Sequence, residues 1–131
     1  GGVSSFKTKI LNEVQFSGYF EGYGLYEDMD YCLRVSKLGQ LYVNTSARLY
    51  HYHDPDGRPN QFRYGTMVSR NGKYVWRVKY PNPKFKAKIK FYKISLLLTL
   101  VRLGNALTTS KRKEAFTEAL GRFYGIITST K

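Results

Sequence analysis

Glu27, Asp28 and Asp30 stand within four positions of one another in the run GYGLYEDMDYCLRVSKLG, residues 22–39, of a chain whose formal charge is +13. Only nine of the 131 residues are acidic, so this clustering invites a chemical reading. Carboxylates in the first turn of a helix meet unpaired N–H groups and the positive end of the macrodipole, worth about 0.3–1 kcal/mol each. Such a cap accounts for one or two of the three. The loop GYFEGYGLY, residues 18–26, delivers the chain to this point with three glycines and three tyrosines. It lets a ligand approach the backbone closely between aromatic faces. A carboxylate kept ionised beside that loop is placed to take a proton from a hydroxyl nucleophile. Asp28 is the candidate for this role, with a plain helix cap as the alternative. Asp30 and Arg34, four apart, predict an intrahelical ion pair that fixes the helix.

His51 and His53 form a second constellation. In an extended RLYHYH, residues 48–53, side chains alternate, so Leu49, His51 and His53 share one face. A histidine at a strand end acts either as an ordinary hydrogen-bonding group or as a ligand to a metal or a diphosphate, and the residues alone leave both open.

The elements that must position these groups follow from the pattern. SSFKTKILNEV offers Ser5 as an N-cap for a short helix ending before Gly18. EDMDYCLRVSKLG predicts a second helix, with Met29, Cys32 or Leu33, and Ser36 on one side and a left-handed cap at Gly39. QLYVN and RLYHYH, rich in Tyr, Val and Leu, predict two short strands. DPDGRPN is a turn. QFRYGTMVSRNGKYVWRVKY reads as helical and breaks at PNP. A long helix then spans residues 85–107, and an amphipathic one runs through KRKEAFTEALGRFYG. Cys32, the only cysteine, excludes an internal disulfide and is expected to be a buried thiol in a protein facing the cytosol.

Charge is distributed unevenly. Residues 57–113 hold fifteen Lys or Arg and no Asp or Glu, whereas the rest of the chain holds seven basic and nine acidic residues. Such a block favours an anionic partner, with a merely solvated face as the alternative. Within it Lys84, Lys86, Lys88, Lys90 and Lys93 precede the apolar run from Ile94 to Leu103. Ten residues do not span a bilayer, which takes about 20. A helix lying in the interface, with lysines reaching anionic head groups, fits the pattern. Packing of the same face on further protein, or on a second copy in a homo-oligomer, fits it equally. A competing class is a nucleic-acid-binding module, since aromatic and basic residues together stack bases and neutralise phosphates. No recognised nucleic-acid motif accompanies them.

The ordered motifs of residues 1–80 resemble the C-terminal, acceptor-side part of the catalytic domain of family 2 glycosyltransferases, inverting enzymes of the GT-A fold. Phe20 and Glu21 match the family's turn, Glu27, Asp28, Asp30 and Arg34 its ED-x-D-x-x-x-R helix, Gly39 the following glycine, and His51 the histidine after the strand. Arg70 and Asn71 resemble a pair that follows in bacterial members, and RKEAFTEALGRFYG resembles the C-terminal helix more weakly. The resemblance implies an α/β fold: the C-terminal portion of a Rossmann-like GT-A domain over residues 1–80, with helices and a few short strands. Basic and amphipathic C-terminal helices would follow over 81–131.

It also implies transfer of a sugar from a nucleotide-sugar donor to a hydroxyl of a glycan or lipid-linked acceptor, in bacterial cell-surface polysaccharide synthesis. Asp28 would be the general base, with Glu27 beside it and Glu21, Tyr23 and Tyr26 lining the acceptor side. His51, with His53 as second choice, would stand near a divalent cation, Mg or Mn. The expected location is the cytoplasmic face of the plasma membrane, held peripherally. The family's nucleotide-binding half and its Asp-x-Asp metal motif have no counterpart here. Asp28-Met-Asp30 and Asp54-Pro-Asp56 fit the letters, yet neither follows an apolar strand. The 131 residues are therefore read as part of an enzyme and expected to be inactive alone.

Overall fold

The computed structural model describes residues 4–20, 22–50, 52 and 60–129. Five helices follow in order: α1 (Thr8–Glu13), α2 (Glu27–Val35), α3 (Gln61–Lys79), α4 (Phe85–Thr108) and α5 (Arg112–Thr128). The chain divides into two compact units, Gly1–Arg58 and Pro59–Lys131.

In the first unit the core is small and aromatic. Tyr31 of α2, 1% exposed, stacks on Phe16 at a centroid distance of 4.1 Å and meets the edge of Phe6 at 4.8 Å. Val35, one turn further along α2, is buried with it. Helix α1 buries no residue of its own. It spaces Phe6 and Phe16 so that both reach Tyr31.

The second unit is a helical assembly in which α5 packs on both α3 and α4. Asn60 caps α3, its Oδ1 accepting from the Arg63 N–H at 2.9 Å. Pro81 ends α3, because the residue before a proline is pushed out of helical geometry. The α3–α5 crossing is close enough to require glycine. A Cβ on Gly121 would overlap the carbonyl oxygen of Phe62, one on Gly65 that of Glu118, and one on Gly125 would lie 2.6 Å from that of Thr66. Ala115 and Ala119 continue the small-residue stripe into the buried face of α5. Helix α4 is joined to α5 by charge. Glu118, buried on α5, takes hydrogen bonds from Arg102 of α4 at 2.8 Å and from Arg122 at 2.7 Å and 2.9 Å. Among the described residues no helix is long and apolar enough to cross a membrane.

Several expectations are corrected. All regular structure among the described residues is helical, so the α/β class, a Rossmann-like GT-A portion with short strands, is not what this chain forms. The segments expected as strands, QLYVN and the described part of RLYHYH, have no regular structure, and residues 40–50 are all exposed. β propensity measures fit to a pleated, half-buried surface. A strand without a neighbour leaves its backbone groups unpaired, and no described segment supplies one. The N-cap of α1 is Lys7, without a side-chain cap, not Ser5. Gly39 does not adopt positive φ, because α2 ends at Val35 and unwinds through a turn. Met29 is exposed and Cys32 half-buried; Tyr31 and Asp30 take the inward face because two aromatic rings wait there.

The glycine crossing gives a direct prediction. Gly121→Ala must push α5 off the α3 backbone and should lower the unfolding free energy by about 2 kcal/mol or more. Gly104→Ala, where a Cβ meets nothing within 4 Å, should raise it by up to about 1 kcal/mol through helix propensity. Urea titration of both variants checks the pair.

Candidate functional site

Among its described residues, the loop that precedes α2 turns through three left-handed positions, Gly22 at φ 72°, Gly24 at φ 65° and Tyr26 at φ 73°. Two are glycines, for which this is cheap. Tyr26 is not, and a bulky residue there carries strain of about 1–3 kcal/mol. As N-cap of α2 it turns the chain so that Glu27 and Asp28 open the helix. The Glu27 N–H donates to the Gly24 carbonyl at 2.9 Å, and a Cβ on Gly24 would stand 2.6 Å from the Glu27 carboxylate. Glycine therefore lets the acid fold back onto the loop.

Below this loop lies a cavity of about 660 Å³, within the range of small-molecule sites, about 300–1,000 Å³. Tyr23, Tyr26, Glu27 and Asp28 all line it, with Phe6, Phe16 and Tyr31 contributing aromatic wall. Asp28 Oδ1 accepts from the Met29 N–H at 2.8 Å, so it uses the first-turn backbone while remaining at the cavity.

Asp30 does different work. It is 0% exposed, and its Oδ2 accepts from Arg34 Nη2 at 2.7 Å and Nε at 3.1 Å. Arg34 also donates to the Gln15 carbonyl at 2.6 Å, tying α2 to the segment that carries Phe16. Asp30 Oδ1 and the Tyr31 hydroxyl are buried without a hydrogen-bond partner among the described residues.

The structure thus brings Asp28, Glu27, Tyr23 and Tyr26 to one cavity and keeps Asp30 and Arg34 together behind it. Glu21, His51 and His53 lie outside the described residues. Lys84, Lys86, Lys88, Lys90 and Lys93 all sit, exposed, at the start of α4 or just before it in the second unit. Arg70 and Asn71 lie on α3 with Asn71 buried. Among the described residues no three His, Cys, Asp or Glu side chains gather to hold a metal ion. The residue expected near a divalent cation, His51, lies outside that set. Sequence reading missed the aromatic wall of Phe6, Phe16 and Tyr31, whose signal is only a spacing of ten and fifteen residues. It also missed the left-handed Tyr26, which has no sequence signal.

Comparison of the chain with family descriptions, curated proteins and solved structures finds no match.

Asp28 and Asp30 should separate cleanly in a stability measurement. Asp30→Asn leaves a partly buried guanidinium without its anion and should cost about 2–3 kcal/mol in urea unfolding of the first unit. Asp28→Asn, at a half-exposed helix start, should cost about 1 kcal/mol or less.

Proposed function

We propose that the first unit is the acceptor-binding part of an inverting glycosyltransferase, with Asp28 as its general base. The observation that carries this reading is the gathering of Tyr23, Tyr26, Glu27 and Asp28 around one open cavity at the start of α2. Tyrosine faces suit the apolar faces of sugar rings, and carboxylates suit their hydroxyls. Asp28 takes the proton from the acceptor hydroxyl as its oxygen attacks the anomeric carbon of a nucleotide sugar. The bond to the leaving diphosphate breaks on the opposite side, and the configuration inverts. An ordinary carboxylate suffices, since it is ionised near neutrality and the hydroxyl turns acidic only as the bond forms. Glu27 accepts from a neighbouring hydroxyl and orients the acceptor. The donor is held by residues other than those of this cavity.

Peripheral attachment to the cytoplasmic face of a membrane belongs to the same reading. The second unit exposes Leu96, Leu97, Leu100 and Val101 of α4 and Phe116, Leu120 and Phe123 of α5. The exposed lysines of α4 adjoin that apolar surface in sequence, the arrangement of a helix lying at a lipid interface.

The test is a transferase assay with a panel of nucleotide sugars on the enzyme that contains this chain, carrying Asp28→Asn. Turnover should fall by about 10²–10⁴-fold while nucleotide binding and helix content persist. Turnover within a few fold of the parent would leave Asp28 as a helix cap and remove the reading.

A further inference from the structure

The second unit contains a cavity that neither the transferase chemistry nor the helix packing uses. It has a volume of about 510 Å³ and lies at the junction of α3, the Pro81-Asn82-Pro83 break and α4, where Lys73, Arg77 and Lys88 meet Trp76, Asn82 and Tyr92. Trp76 stacks on Phe91 at 4.5 Å, which closes the end of α3 against the start of α4. Lys73 is 9% exposed. Its ammonium donates to the Ser129 carbonyl and stands 5.5 Å from the Tyr92 ring centre. No carboxylate of the described residues pairs with Lys73, Arg77 or Lys88. An anion entering the cavity would meet three cations, one of them, Lys73, largely withdrawn from water.

A second, apolar groove of about 410 Å³ adjoins this cavity, lined by Phe85, Ile89, Tyr92 and Leu96 and flanked by Lys88 and Lys93. Lys88 and Tyr92 belong to both walls. The two hollows therefore meet as a charged head and an apolar track. We propose that the cavity binds the phosphate of an anionic membrane phospholipid, whose hydrocarbon lies along the groove of α4. Arg77 and Lys88 hold the phosphate oxygens from the two helices, and Lys73 supplies the fixed charge behind them. This inference rests on the membrane attachment proposed above and adds a discrete lipid site to it.

The test is co-sedimentation of the full chain with phosphatidylcholine vesicles, with and without phosphatidic acid, at physiological salt. Two double variants are compared: Arg77→Gln with Lys88→Gln, which line the cavity, and Lys86→Gln with Lys90→Gln, which are exposed on the same helix and line neither hollow. All four side chains are exposed, so helix content should be unchanged in circular dichroism. The expected result is binding that requires phosphatidic acid, with the cavity pair losing at least about tenfold more affinity than the outer pair. Equal losses would overturn the discrete site while leaving diffuse membrane attachment standing. Absence of vesicle binding in the parent chain would overturn both. Calorimetric titration with glycerol 3-phosphate is the second arm. Binding there without vesicle binding would assign the cavity to a soluble phosphate, and tight binding of a single-stranded oligonucleotide, lost in the cavity pair, would assign it to nucleic acid. Either outcome overturns the lipid site.

Discussion

The orientation of α2 is the constraint on which the candidate site depends, and Arg34, steadied by Asp30, fixes it through the Gln15 carbonyl. Asp30 places both of its hydrogen bonds on one carboxylate oxygen and leaves the other without a partner among the described residues. An orphaned buried acceptor costs about 1–3 kcal/mol, and burial of an ion pair returns little net stability against an apolar replacement. The gain is directional. Arg34 is a planar fork that Asp30, on the same helix, holds in place and that donates to the Gln15 carbonyl outside it, so rotation of α2 breaks the bond to Gln15. That fixed rotation keeps Tyr31 between Phe6 and Phe16 and points the first turn, with Glu27 and Asp28, at the cavity. Strain at Tyr26 is tolerated because the same packing over-determines the helix start.

The second unit solves its packing by the opposite means. Backbone meets backbone at Gly65, Gly121 and Gly125, with the Phe62 and Tyr124 rings 5.5 Å apart beside the crossing, and α5 shows Phe116, Leu120 and Phe123 to the outside. Its one fully engaged carboxylate, Glu118, is spent on two arginines. The basic block consequently keeps its excess charge. The exposed apolar side chains of α4 and α5 and the lysines at the start of α4 are the two features on which the proposed lipid attachment rests.

Helices were legible in the sequence because their signals are local. Asn60 before α3, Pro81 and Pro83 between α3 and α4, and the acid-rich start of α2 each act within one turn of the chain. The strands were not legible correctly, because QLYVN and RLYHYH carry the composition of strands while pairing is a property of the neighbour. The inward face of α2 was misjudged for a related reason. Met29 and Cys32 are more apolar than Asp30, yet Phe6, Phe16 and Arg34 decide which side is covered. At the site, the acids and tyrosines were read from the loop and helix pattern, and the wall of Phe6, Phe16 and Tyr31 needed three dimensions.

The central claim is that Asp28 removes the acceptor proton, and chemical rescue tests it most directly. In the enzyme containing this chain, Asp28→Gly empties the carboxylate position without adding bulk to the cavity. Added formate should then restore transfer in proportion to its concentration, with no effect on the parent. Loss of turnover that formate cannot restore, in a variant that still binds nucleotide and keeps its helix content, would contradict the claim.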